Sequence, residues 1–242
     1  MSNYSINILH LYPDILNLYG DKGNIEALKR RLLWRGIDVR VVECMSGDNA
    51  DVFAADIIFL GGGADRDIEM VAQMLSEKKS MIKDFVENEG TMLALCSGYP
   101  LIGKYISVDG KRTEGLGLLD IITETDSRDK RLTGNVVLEC DGIEHSVIGF
   151  ENHGSKTRIG NYTPLGKVIK GFGNDGQSGF EGIVYKNLIG TYLHGPLLPK
   201  NPELCDKILL NALKRKYPEF TELTQLDDSM ENTANEFMEK RI

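Results

Sequence analysis

"TMLALCSGYPLIGKYI", Thr91 to Ile106, admits two readings, and the choice between them sets the fold. From Gly98 to Lys104 it spells G-x-x-x-x-G-K, the opening of a phosphate-binding loop. From Ala94 to Gly98 it spells small-x-Cys-x-Gly, the tight turn that carries a nucleophile from a strand into a helix. The phosphate reading fails on its chemistry. Such a loop follows its Lys with a Ser or Thr that binds Mg²⁺, and Tyr105 stands there instead. Its backbone N–H groups must also cradle the phosphates, whereas "YPLI" is apolar and Pro100 has no N–H. The turn reading survives, because Ala94 and Gly98 are the small neighbours that a crowded backbone requires. Cys96 would then lie at the C-terminal edge of a parallel strand, where sites in open α/β sheets lie. The helix that follows is expected to lower its thiol pKa. Taken alone, the turn is equally compatible with a buried, inert Cys at a strand end.

Working outward, apolar β-favouring runs alternate with amphipathic ones. "INILHLY" (6–12), "DVRVVEC" (38–44), "ADIIFLGGG" (55–63) and "TMLALC" (91–96) read as strands. "GNIEALKRRLLWRG" (23–36) places Ile25, Leu28, Leu32 and Leu33 at helical spacing and stops at Gly36. Residues 67–90 read as helix in one or two pieces, and "YPLIGKYI" as a short helix. This alternation predicts a mostly parallel sheet flanked by helices. Beyond residue 107, "GLGLLDII", "GNVVLEC", "HSVIGFEN", "LGKVIKGF" and "GIVYKNLIGTYLHG" read as short antiparallel strands that extend or flank that sheet. "PELCDKILLNALKRKY" (202–217) is an amphipathic helix. We divide the chain into one domain over 1–220 and a polar tail or helix over 221–242.

Composition narrows the class. The chain has 242 residues, 41% hydrophobic and 26% charged, as a globular protein has. Its net charge of -8 argues against nucleic acid or anionic membranes as partners. No run approaches the ~20 apolar residues of a membrane helix. No secretory leader is visible. Cys44, Cys96, Cys140 and Cys205 are scattered without CxxC spacing, which reads as reduced cytoplasmic thiols and no metal site.

A thiol nucleophile needs a base and donors for an oxyanion. Of the four histidines, His194 ends a strand in "YLHGP" and is the first choice; His153 in "FENHG" is the second. His10 reads as a core or edge residue and His145 as part of an exposed turn. Gly61-Gly62-Gly63 ends the strand preceding that of Cys96, so the N–H groups of Gly62 and Gly63, with that of Ser97, are the candidate oxyanion donors. A plain tight turn would also explain three glycines.

With "GGG", the Cys turn, "KRLTG", "FENH" and "YLHGP" in this order, the chain resembles the class I (triad-type) glutamine amidotransferases, in the cobyric acid synthase-like branch. "YGDKGN" with "FENHGSKT" resembles in particular the GatD-type glutaminase subunits of lipid II isoglutaminyl synthases. The resemblance covers about residues 5–217. It implies a flavodoxin-like α/β fold with added antiparallel strands. It also implies attack of Cys96 on L-glutamine, proton transfer by His194 and a substrate contact at Arg131, whose planar fork suits a carboxylate. No cofactor is implied in this chain. ATP and Mg²⁺ are expected in a MurT-like, Mur ligase-type partner, in a heterodimer that amidates D-glutamate of the peptidoglycan stem peptide. Two motifs depart from the pattern. Ser97 and Pro100 replace the Gly and Gln of C-G-G-x-Q, and no carboxylate follows His194 as in H-P-E, which suggests that the partner supplies the third acid. A cysteine hydrolase acting alone and a non-catalytic subunit are the competing functions.

Overall fold

A computed structural model describes residues 3–241. The first half of the chain runs β1 (Ser5–Leu11), α1 (Lys22–Leu33), β2 (Asp38–Cys44), β3 (Ile57–Leu60), α2 (Ile68–Ser76), α3 (Lys79–Glu87), β4 (Thr91–Leu95) and α4 (Gly98–Leu101). Ten strands follow: β5 (Tyr105–Val108), β6 (Lys111–Glu114), β7 (Ile122–Thr125), β8 (Leu132–Glu139), β9 (Val147–His153), β10 (Ser155–Arg158), β11 (Gly166–Lys170), β12 (Phe180–Glu181), β13 (Ile183–Tyr185) and β14 (Leu188–Thr191). Helices α5 (Pro202–Lys216) and α6 (Ser229–Glu239) complete it.

The central sheet is ordered β13-β14-β4-β3-β1-β2 and is parallel except for β13. Its side chains alternate strictly. Ile6, Ile8, Ile57, Phe59, Leu93 and Leu95 face one core, shared with Leu28 and Leu32 of α1 and Ile208 and Leu209 of α5. Leu9, Leu11, Ile58, Leu60, Met92 and Ala94 face the other, packed by Val71 and Leu75 of α2 and Ile82 and Phe85 of α3. Period-two strands between helices explain why the sheet is buried on both sides. Each fully buried aliphatic side chain stabilises by about 1.5–3 kcal/mol.

Three local expectations are corrected. The late strands are not all antiparallel, since β14 pairs parallel with β4; β13 and β14 extend the central sheet. The others make two further sheets, ordered β10-β7-β5-β6 and β12-β11-β8-β9, in which β5 and β7 are parallel. "YPLIGKYI" is helical only through Leu101, and Tyr105 already begins β5. Most of "GLGLLDII" is a loop. The N–H groups of Leu116, Gly117 and Leu118 donate to the carbonyls of Leu101, Gly103 and Ile102. Its leucines are apolar because they are buried, not because they alternate on a strand.

The tail region contains α6. Arg31 of α1 reaches Asp206 of α5 at 2.6 Å and Asp228, just before α6, at 2.5 Å. Among the described residues no helix is long and apolar enough to cross a membrane, and no acidic, His or Cys group is placed to hold a metal.

Candidate functional site

Cys96, Gly61 to Gly63 and His194 follow the C-terminal ends of β4, β3 and β14, strands of the central sheet. Cys96 follows β4 with φ at +51°, a left-handed conformation that a non-glycine residue adopts at a cost of about 1–3 kcal/mol. It is held there by its own N–H, which donates to the Thr191 carbonyl of β14 at 2.8 Å, and by its carbonyl, which accepts from Tyr99. The small neighbours are required. A methyl on Gly98 would lie 2.6 Å from the Leu60 carbonyl, and one on Gly62 would lie 2.7 Å from Cys96 Cβ. The phosphate-loop lysine is elsewhere engaged, since Lys104 pairs with Asp120 at the surface.

His194 lies three residues beyond Thr191, the residue that anchors the turn. Its N–H and carbonyl bridge to Phe150 of β9. Its ring is buried, stacks on Tyr19 at 3.9 Å and meets Phe150 edge-on. Neither ring nitrogen has a hydrogen-bond partner, so no bond joins it to Cys96 and no carboxylate orients it. Burial, then the charges of His153 and Lys200, lower its pKa to about 4. His153, the second choice, has another engagement. Its Nδ1 is 2.7 Å from the Ser155 carbonyl, and its ring stacks on Tyr192 at 3.7 Å. His10 is buried, and His145 is tied to Glu203.

The expected lowering of the Cys96 pKa is not observed. Burial comes first among the causes that push the thiol up to about 12, and the charge of Asp21 adds to it. The opposing Ser97 N–H, which donates to Cys96, is the weaker influence. A helix of one turn, Gly98–Leu101, has too little dipole to offset the loss of water. Only 8% of Cys96 is exposed.

The three candidate oxyanion donors are all occupied. Gly62 N–H donates to Asp21 Oδ2 at 2.6 Å, and Gly63 N–H donates to Ser97 Oγ at 2.6 Å. Arg131 stands at the rim. Its Nη1 is 2.6 Å from Asp65 Oδ2, and its Nε and Nη2 donate to the side-chain and backbone oxygens of Asn152. The charges of Asp65 and Arg131 both reach the Cys96 sulfur. Pro100 is buried in α4 and offers no amide-recognising group.

Sequence reasoning missed Asp21, Tyr19, Asp65 and Asn152. Tyr19 and Asp21 belong to "YGDKGN", and Asn152 to "FENHG", so these segments were visible although no role was assigned to these three residues. Behind the turn, Glu181 was also missed. It accepts from Thr191 Oγ1 and Tyr192 N–H, and burial lifts its pKa to about 7.

The arrangement holds a buried thiol on a strained turn, a buried imidazole beyond the neighbouring strand and an arginine at the rim. The sequence profile of the CobB/CobQ-like glutamine amidotransferase domain matches residues 7–202. The chain is 43% identical over 236 residues to the lipid II isoglutaminyl synthase (glutamine-hydrolyzing) subunit GatD of Staphylococcus aureus (strain N315), covering 97% of this chain and 95% of that protein. It is 37% identical over 227 residues to the subunit of the same name from Streptococcus pneumoniae (strain ATCC BAA-255 / R6), covering 93% and 87%. Among solved structures, a crystal structure of a glutamine amidotransferase superposes with a TM-score of 0.58 at 16% identity, over 84% of this chain and 98% of that one. At that identity the likeness is one of fold.

Proposed function

The chain belongs to the CobB/CobQ-like glutamine amidotransferase family, and from that premise we propose that it is the glutaminase subunit of a lipid II isoglutaminyl synthase. The observation that carries the reading is the Cys96 turn, strained at φ +51° and hung from Thr191, the last residue of the strand that leads to His194. Cys96 Sγ attacks the side-chain amide carbon of L-glutamine. The oxygen becomes an oxyanion that needs the Gly62, Gly63 and Ser97 N–H groups. His194 passes the thiol proton to the leaving nitrogen, ammonia departs, and a glutamyl thioester remains. Water, activated by His194, then releases glutamate and restores the thiol. Arg131 holds the substrate α-carboxylate in a bidentate contact, exchanging it for its present bonds to Asp65 and Asn152.

Amidating a carboxylate requires its activation, so ammonia must pass to a subunit that binds ATP and Mg²⁺. We assign that role to a Mur ligase-type partner of the MurT kind, in a cytoplasmic heterodimer that amidates D-glutamate of the stem peptide. Among the described residues no carboxylate bonds to the His194 ring, which supports a carboxylate arriving from the partner. The test is to give L-glutamine and an electrophilic glutamine analogue to the chain alone and with its partner. Ammonia release should be greater in the complex and fall by roughly 10³-fold or more in Cys96→Ala. Mass spectrometry should find the label on Cys96; a label on Cys44, Cys140 or Cys205 would sink the mechanism.

A further inference from the structure

We propose that Asp21 is a built-in surrogate oxyanion: its carboxylate occupies the Gly62 donor of the acyl-transfer site, and glutamine is attacked only after residues 17–23 carry it away. This rests on the glutaminase reading above. The geometry begins at the Gly62 N–H, which donates to Asp21 Oδ2 at 2.6 Å. The Cβ that Gly62 lacks would lie 2.7 Å from Cys96 Cβ and 3.4 Å from both Cys96 Sγ and Asp21 Oδ2. Donor, carboxylate and thiol therefore share the space of one side chain. A carboxylate oxygen accepting a backbone N–H makes the same charge-assisted bond as the oxygen of a tetrahedral intermediate. The two cannot use that N–H together.

Asp21 is poorly suited to a purely structural role. It is 0% exposed, and its Oδ1 has no hydrogen-bond partner. A buried carboxylate satisfied on one oxygen is held at a cost. Burial raises its pKa to about 7 despite the Gly62 bond. After burial itself, Asp21 is the strongest influence keeping the Cys96 thiol protonated; Asp65 acts in the same sense and Arg131 against it. The neighbouring Lys22 points away, to Glu43.

The same segment covers the candidate base. Tyr19, at φ +56°, stacks over His194, and Gly20 follows at φ +77°. Left-handed backbone at a Tyr stores about 1–3 kcal/mol that release would recover. Leu18 N–H ties the segment to the Gly62 carbonyl at 2.9 Å. Asn152 donates to the Tyr19 hydroxyl at 2.7 Å while accepting from Arg131 Nε at 2.9 Å. A glutamine α-carboxylate taking Arg131 would compete for those bonds, loosen Asn152 from Tyr19, and so open both ends of the cover together.

The test compares Asp21→Asn with Asp21→Ala in the full isolated chain. The first keeps the shape and an acceptor oxygen but removes the charge; the second also frees the Gly62 N–H. Alkylation of Cys96 by iodoacetamide, followed against pH, should shift down by about one pH unit in both, roughly tenfold in rate at fixed pH. Ammonia release from L-glutamine should rise several-fold in Asp21→Ala and by less in Asp21→Asn. A folded Asp21→Ala chain that hydrolyses glutamine no faster than the parent overturns the proposal, as does an Asp21→Asn alkylation profile that does not move. If neither the parent chain nor its complex releases ammonia, the glutaminase reading fails instead, and the iodoacetamide profiles still decide whether Asp21 masks the thiol.

Discussion

At Gly98 an added methyl would meet two carbonyl oxygens, those of Leu60 at 2.6 Å and Gly61 at 2.8 Å. Both belong to backbone at the end of β3, which cannot retreat without disturbing the glycines beside Cys96. Gly98→Ala should therefore lower stability by about 1–3 kcal/mol in urea unfolding and also slow labelling of Cys96 by a glutamine analogue. Cys96 was legible in the sequence because the turn imposes its demands locally, at positions two residues either side. Asp21 was not, because its meaning arises from a hydrogen bond to Gly62, 41 residues away. The opposite error occurred with the Cys96 acidity. The helix was visible in the sequence, but burial, which decides the sign, was not.

At the scale of elements, Arg31 does what no hydrophobic pattern announces. Its guanidinium donates to both oxygens of Asp206 and both of Asp228, joining α1, α5 and the approach to α6. Arg35 adds bonds to the same Asp206 and to the Thr224 carbonyl. Arg31→Met leaves the partly buried Asp228 without its counter-charge and Asp206 with Arg35 alone, and should destabilise by ~3 kcal/mol. Hydrogen exchange should show faster opening of α6 than of α5, because α5 retains Leu204, Ile208 and Leu209 in the core. Within the basic run 29–31, Arg30 is exposed, whereas Arg31 is buried. The central strands were legible because they are apolar and continuous. The small sheets were not, because β5, β6 and β7 are four-residue strands whose pairing partners are fixed only by the fold.

Across the whole molecule, buried ionisable groups oppose each other. His10 and His194 have pKa values lowered to about 4, so the unfolded chain takes their protons first and stability falls between pH 6.5 and 4. Asp21 and Glu181 are raised to about 7, so the folded chain keeps their protons longer; their contribution is present below the usual carboxylate range and lost as pH rises through 7. Asp21→Asn removes one member of the second pair. Its stability relative to the parent should be greater at pH 8 than at pH 4, by about 2–4 kcal/mol, checked by thermal unfolding at both values. An unchanged difference would mean that Asp21 is not penalised by burial. One further property follows from the sheet order. β2 is an outer strand with β1 as its only neighbour in that sheet. Along its seven residues Asp38, Arg40 and Glu43 interrupt the valines. A bare strand edge invites another chain to add to it, and alternating charges of both signs make such stacking unfavourable. The same strand that completes the sheet thus guards the folded chain, and any chain still folding, against fibrous self-association.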